Sequence, residues 1–252
     1  MFLSFTNMKS IDELLPRGSR ERLYYESHIV LTQAQAIALE LETCGQAHDS
    51  LWFAERQKRI TASIAKQVAV RRKETRPEKL VSVITHRHSF SSIATVYGVE
   101  KERVAREKYL KVMWSSKLSL SVSQTGLLIS PDHPWLGATP DGVISDPAAT
   151  AVEEGLLEIK CPFSCSDSSF SECAKKSSFC LTKDRKLKKK HPYYYQVQVQ
   201  MFVAGKSWCD FCVYSPTELD IERIHVNTAF LKEILPMIQV FYCKQVLPHL
   251  AK

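Results

Sequence analysis

Asp141, Glu158 and Lys160 have the types and spacing from which a hydrolytic metal site can be built. Glu158 and Lys160 stand two apart in Leu157-Glu158-Ile159-Lys160, so in a strand they share one face while Leu157 and Ile159 point into the opposite, apolar layer. Asp141 lies in Thr139-Pro140-Asp141-Gly142, a turn at the start of a preceding strand, and a hairpin would set it beside the other two. Two carboxylates and a main-chain carbonyl form a hard oxygen site that suits Mg²⁺ or Mn²⁺. A neighbouring lysine supplies positive charge to orient or deprotonate an attacking water. An acid-x-lysine pair alone is common as an ordinary surface pair, so this reading needs support from the rest of the chain.

Two further groups supply it. In Arg56-x-x-Arg59-Ile60-Thr61-Ala62-Ser63, Thr61 is an N-cap candidate. The backbone N–H groups it precedes, the Ser63 hydroxyl and one or both arginines make an anion site of the kind that holds a phosphate. Over Val99–Met113 the helical wheel puts Glu102 on the same arc of about 100° as Ala105, Tyr109, Val112 and Met113. A carboxylate on a packing face is costly unless it is paired, hydrogen-bonded or bound to metal. Glu107 falls instead among Arg103, Leu110 and Lys111, where solvation is the natural state.

The elements that must position these groups change character along the chain. Residues 1–30 carry mixed signals broken at Pro16–Gly18 and read as a loosely attached lead-in. Thr32 caps a predicted helix over Gln33–Thr43 closed by Gly45, a second begins at Thr61 and runs to Arg71–Lys73, and a third opens at Pro77. The pattern then turns to short runs rich in β-formers: Leu118–Val122, Gly126–Ser130, Gly142–Ile144, Leu156–Lys160 and Trp208–Tyr214, with turns at Pro131, Pro134, Pro140 and Pro147. A helix over Pro192–Gly205, strand again over 206–224, and a helix from Asn227 to about Leu247, interrupted at Pro236, complete the chain. This order describes an α+β domain with a central, mostly antiparallel or mixed sheet flanked by helices.

Charge is segregated. The 252 residues carry 34 Lys+Arg against 27 Asp+Glu, a net of +7, but residues 54–117 hold 16 basic and 6 acidic groups and residues 175–190 hold 8 and 1. The remaining residues carry 10 basic against 20 acidic groups. Basic patches on an otherwise acidic chain suit a polyanion, nucleic acid or an anionic membrane surface. No run reaches the ~20 apolar residues of a membrane span, and the apolar Met1–Phe5 lacks the features of a secretion signal, so an intracellular protein is expected. Its eight cysteines then read as free thiols or metal ligands before disulfides. Cys209-x-x-Cys212 has ligand-like spacing, but positions three apart in a strand face opposite sides. Lys183–His191 resembles a nuclear import signal and equally a basic loop that contacts a DNA backbone.

Five motifs in one order carry a resemblance: Arg56-x-x-Arg59-Ile60-Thr61-Ala62-Ser63, Gly98-x-x-x-Glu102-x-x-Ala105-Arg106, Thr139-Pro140-Asp141-Gly142, Leu157-Glu158-Ile159-Lys160-Cys161-Pro162-Phe163 and Tyr195-Gln196-Val197-Gln198. The chain from about Gln46 to Leu250 resembles the YqaJ-type viral recombinases, relatives of the phage lambda-type alkaline exonuclease within the PD-(D/E)XK nuclease superfamily. The resemblance implies a restriction-endonuclease-like core, with residues 1–45 as a partly helical N-terminal extension and 46–252 as the exonuclease domain. It implies that Asp141, Glu158 and the Ile159 carbonyl bind Mg²⁺, for which Mn²⁺ may substitute. Lys160 would assist the nucleophilic water, Glu102 would complete the acidic site at a second metal, and Gln196 would position water or substrate. Arg56, Arg59, Thr61 and Ser63 would hold a 5′-terminal phosphate, Arg56 aligning better than Arg59. On the helix from Pro192, residues Tyr194, Val197, Met201 and Ala204 form the packing stripe and leave Gln196 and Gln200 on another face.

The implied activity is a Mg²⁺-dependent 5′-to-3′ exonuclease on double-stranded DNA ends, acting in recombination or repair and releasing 5′-phosphomonoesters. A homotrimer and a strand-annealing recombination partner follow by analogy, with no membrane association. An endonuclease or RNA-degrading relative on the same fold, or an inactive module that binds DNA ends, are the alternatives.

Overall fold

A computed structural model describes residues 8–72, 74–86, 92–115, 120–145 and 154–252. Met1–Phe5, Lys73, Leu118 and Pro147 lie outside the described residues. The N-terminal half is helical: α1 (Ile11–Leu14), α2 (Arg20–Tyr24, continued by a π-turn over Tyr25–Ile29), α3 (Gln33–Glu42), α4 (Ser50–Gln57), α5 (Ala65–Ala69), α6 (Glu78–Thr85) and the long α7 (Ile93–Ser115). Thr32 caps α3 in a full capping box with Gln35, as the sequence predicts.

Five strands make the central sheet in the order β2 (Ser121–Ser123), β4 (Gly142–Ser145), β5 (Gly155–Lys160), β6 (Trp208–Tyr214) and β7 (Leu219–His225). A two-stranded parallel pair, β1 (Ile60–Thr61) with β3 (Leu136–Gly137), stands apart from it. All pairings in the large sheet are antiparallel except β5 with β6, which run parallel because the chain between them crosses over through α8 (Phe170–Cys173) and α9 (Pro192–Ala204). The sheet is therefore mixed.

Side-chain alternation on β5 sorts the two faces. Leu157 and Ile159 pack with Ala105 and Tyr109 of α7. Leu156 packs on the opposite face with Tyr194, Val197 and Met201 of α9, and Glu158 and Lys160 share that α9 side by parity. Cys209 and Cys212 obey the same rule on β6, one in each layer. Gly142 completes the turn motif for a steric reason: a Cβ there would lie 2.5 Å from Val122 Cγ1, so only glycine lets β2 cross beside Asp141. Gly205 closes α9 in the left-handed conformation, φ +63°.

Four expectations change. Gly126–Ser130 forms only a bridge, Leu128 to Ala138, because Leu127 and Ile129 are buried against Leu39 of α3 and the Leu127 amide donates to Thr43 Oγ1 at 2.8 Å. The last helix runs through Pro236 as α10 (Thr228–Phe241) and departs from α geometry later, in a π-turn over Tyr242–Val246 before α11 (Leu247–Leu250). The proline removes a hydrogen bond to the Lys232 carbonyl, and Lys232 is exposed, where water can replace it. The lead-in is not loose: Leu15, Tyr25 and Ile29 enter the main core with α5, α6 and α10, and Gln239 exchanges two hydrogen bonds with the Lys9 backbone at 3.0 and 3.2 Å. Finally, Cys165 and Cys173 are paired, where free thiols or metal ligands were expected.

Candidate functional site

Asp141 sits at the head of β4, its amide donating to the Leu157 carbonyl at 3.0 Å and its Oδ2 accepting from the Ile159 amide at 2.6 Å. The hairpin thus holds the first carboxylate against the strand that carries the second. Glu158 is buried at 1% exposure and is surrounded by donors. Its Oε1 takes Gln196 Nε2 at 2.5 Å and the Lys160 ammonium, and its Oε2 takes Gln200 Nε2 at 2.8 Å. Lys160 also lies over the Tyr193 ring, 4.9 Å from its centroid.

The electrostatics are those of opposite charges removed from water. Burial, then the Glu158 and Glu102 charges, raise the Asp141 pKa well above the ordinary carboxylate value, against Lys160 and the Ile159 amide, which lower it. Burial opposes the charge on Lys160, but Glu158 and Asp141 raise its pKa above the ordinary lysine value. Lys160 is thus held as the charged partner of Glu158.

A cavity of about 170 Å³ opens over these groups, and Arg56, Thr61, Ser63, Thr139, Gln196 and Gln200 line it together with Asp141, Glu158 and Lys160. The acidic cluster and the proposed phosphate cradle, far apart in the chain, line one cavity. On its far wall Arg56 stacks on Trp52 at 3.8 Å, and both Trp52 Nε1 and Arg56 Nη1 donate to Thr139 Oγ1, at 3.1 and 3.4 Å. Thr61 and Ser63 share a hydroxyl hydrogen bond of 3.1 Å.

Three predicted roles need correction. Arg59 does not reach the cavity: it is fully buried, and its guanidinium donates to the carbonyls of Pro134 (2.8 Å), Glu55 (3.0 Å) and Ile29 (3.1 Å) and pairs with the Glu55 carboxylate. Thr61 is not a helix cap. It ends β1, a 3₁₀ turn follows, and α5 begins only at Ala65, so any anion there meets side chains and no extended helix N-terminus. Glu102 does not line the cavity, although its charge acts on Asp141. Its half-exposed side chain is held by Arg106 at 3.3 Å, and Arg106 in turn donates to the Asp141 carbonyl at 2.5 Å. Among the described residues no three His, Cys, Asp or Glu side chains converge to hold a metal ion.

What remains still fits a divalent cation: two carboxylates line one cavity, and one of them is made reluctant to ionise by burial and by its like-charged neighbours. Asp141, Glu158 and the Ile159 carbonyl are the groups that would hold it.

The sequence reading gives no site role to Trp52 or Thr139 and names Gln200 only as sharing a helix face with Gln196. The signal was present for two: Gln200 follows Gln196 by one helical turn, and Trp52 precedes Arg56 by one. Gln198 is structural, donating to the His225 carbonyl at 3.0 Å and accepting from the Asn227 amide at 2.7 Å. The basic segment is folded onto β7, with Arg185 paired to Glu218 and Asp220 and Lys186 to Glu222, while Lys183, Lys189 and Lys190 are exposed. No helix of the described residues is long and apolar enough to cross a membrane.

Known proteins share this fold. The family described as YqaJ-like viral recombinase domain matches residues 51–207. The alkaline exonuclease LHK-Exo of Laribacter hongkongensis is 26% identical, with 80% of this chain and 96% of that chain covered and a TM-score of 0.59; its complex with dAMP gives 0.60. The Shutoff and Exonuclease Protein of Kaposi's sarcoma-associated herpesvirus, at 11% identity over 86% of this chain and 74% of that one, TM-score 0.56, shows likeness of fold alone. The mixed sheet between α7 and α9 is thus the restriction-endonuclease-like core. No curated protein matches the chain.

Proposed function

Because the chain belongs to the YqaJ-like viral recombinase domain family, we propose that it is a metal-dependent deoxyribonuclease that digests double-stranded DNA ends in the 5′-to-3′ direction. The observation that carries this is the single cavity in which Asp141, Glu158 and Lys160 face Arg56, Thr61 and Ser63. The likeness to LHK-Exo, an alkaline exonuclease solved with dAMP, supports it. A Mg²⁺ ion held by Asp141, Glu158 and the Ile159 carbonyl would neutralise charge that develops on the phosphate. Arg56 and the Thr61 and Ser63 hydroxyls hold the terminal 5′-phosphate and so set which bond lies before the carboxylates. Water oxygen bonds to phosphorus, the P–O3′ bond breaks, the proton of water passes to solvent and the departing 3′ oxygen is protonated. The product is a nucleoside 5′-monophosphate. Lys160, held beside Glu158, stabilises the added negative charge. The residual 3′ strand is the species a strand-annealing partner would take, and a homotrimer is the assembly proposed by family analogy.

The direct test is a time course on linear duplex with one 5′-phosphorylated, end-labelled strand, run with Mg²⁺ or EDTA beside a closed circle and an RNA duplex. Mononucleotides from the linear DNA alone are expected. Cutting of the circle would exclude a strict exonuclease.

Two further outcomes belong to this site. Arg56→Ala should narrow the preference for 5′-phosphate over 5′-hydroxyl ends by roughly 10- to 100-fold, the worth of a lost charge-assisted hydrogen bond of about 1.5–3 kcal/mol. An unchanged ratio, measured by competition between the two ends, would remove Arg56 from the cradle. The second concerns pH. A proton and a divalent cation compete for Asp141, whose pKa is raised, so activity should fail on acidification while still above the ordinary carboxylate range. Added Mg²⁺ favours the carboxylate and should shift that acid limb to lower pH. A limb that ignores Mg²⁺ concentration would separate Asp141 from the metal.

A further inference from the structure

Four buried side-chain polar atoms among the described residues have no hydrogen-bond partner, and of these Gln200 Oε1 alone is on a residue that lines the cavity described above. Gln200 is 1% exposed. Its orientation follows from its partners: the amide nitrogen faces two acceptors, Glu158 Oε2 at 2.8 Å and the Thr139 carbonyl at 3.4 Å, which leaves the oxygen as the unused atom. A buried acceptor without a donor costs free energy, so its persistence beside reactive groups needs an account.

The other polar groups in the cavity indicate what it lacks. Lys160 is taken up by Glu158 Oε1 and the Tyr193 ring. Glu158 Oε1 already takes Gln196 and Lys160, and Asp141 Oδ2 takes the Ile159 amide. A water molecule poised to attack needs its hydrogens directed as well as its oxygen. A neutral acceptor fixed next to Glu158 Oε2 does this without adding a third negative charge.

We propose that Gln200 is a further catalytic residue, its Oε1 accepting a hydrogen bond from the water that attacks phosphorus. The amide orients that water and takes no proton. The inference rests on the nuclease reading, since it concerns the same hydrolysis.

Gln200→Ala and Gln200→Met separate this role from packing. Alanine opens space beside the cavity for a second water, which can relay the missing hydrogen bond; methionine fills the space with atoms that cannot accept it. Turnover of 5′-phosphorylated duplex at saturation is expected to fall about 10-fold in the alanine variant and about 100-fold in the methionine variant. KM should stay near the wild-type value in both, and Mn²⁺ affinity, read by electron paramagnetic resonance without DNA, should stay within about threefold. A packing role predicts the opposite order, because alanine leaves a cavity and methionine does not. Methionine at least as active as alanine would overturn the inference. So would turnover within twofold of wild type in both, or Mn²⁺ affinity lost in step with activity. Gln200→Leu repeats the space-filling arm if the methionine variant does not fold. Wild-type protein that hydrolyses nothing would overturn the nuclease reading and this inference with it, whereas active wild type with the reversed order overturns this inference alone.

Discussion

Glu158→Gln protein is expected to bind duplex ends and leave them uncut. The substitution keeps the shape of a side chain buried at 1% exposure and removes one charge. Both oxygens of Glu158 receive donors, from Gln196 and Lys160 on one side and Gln200 on the other. Whichever way the new amide turns, its NH₂ must face one of those donors, so the hydrogen-bonding set fails together with the charge. A divalent cation contributes several kcal/mol to charge stabilisation in phosphoryl hydrolysis, and ~4 kcal/mol corresponds to roughly 10³ in rate. Turnover should therefore drop by at least about that factor in single-turnover assays. Mn²⁺ binding should be lost as well, while gel shifts in EDTA remain near those of wild type. Lys160→Met provides the contrast: a comparable loss of turnover with Mn²⁺ binding retained, because it removes a competing positive charge and no oxygen ligand. A Glu158→Gln protein within tenfold of wild-type activity would place the chemistry elsewhere.

That contrast was open to the sequence because strand alternation is a strong local rule. Glu158 and Lys160 share a face, and Cys209 and Cys212 do not, for the same reason. Caps and turn residues were equally legible: Thr32, Pro192 and Gly205 all act where their types predict. What the sequence left hidden was set by tertiary contacts. The parallel β5–β6 pairing depends on a long crossover whose return direction no local pattern encodes. Gly126–Ser130 has a strand's composition, yet α3 takes its apolar side chains and one of its amides. The wheel groups Glu102 with Ala105 and Tyr109, which are buried, and with Val112, which is exposed, so which face of the sheet α7 would cover could not be read from it. Arg56 and Arg59 are three apart and chemically identical, and only the fold separates a cavity arginine from a core arginine.

Arg59→Met should be among the most destabilising single substitutions in the protein, and at the same time leave the choice of 5′ end unchanged in whatever fraction folds. The guanidinium joins three segments that are distant in sequence: the Ile29 carbonyl in the N-terminal helices, the Glu55 carbonyl and carboxylate in α4, and the Pro134 carbonyl ahead of β3. Methionine fills much of the volume but strands these acceptors and leaves Glu55, at 12% side-chain exposure, with only Lys58. Breaking a buried pair from one side costs about 3–5 kcal/mol. Urea unfolding at neutral pH should show a loss of that order, and protease should cut more readily within residues 8–45, whose anchor at Ile29 is gone. Arg56→Ala should change neither. The effect also carries a pH signature. Burial by itself would raise the Glu55 pKa, but Lys58 and Arg59 bring it below the ordinary value. A carboxylate with a depressed folded-state pKa stabilises the fold above its unfolded pKa, and that contribution is lost as pH falls through the folded value. Wild type should thus lose more stability on acidification than Arg59→Met, and the gap between their unfolding curves should narrow below the ordinary carboxylate range. A gap under about 1 kcal/mol at neutral pH, the size expected of a surface pair, would show that Arg59 is not the tie that its burial and four partners describe.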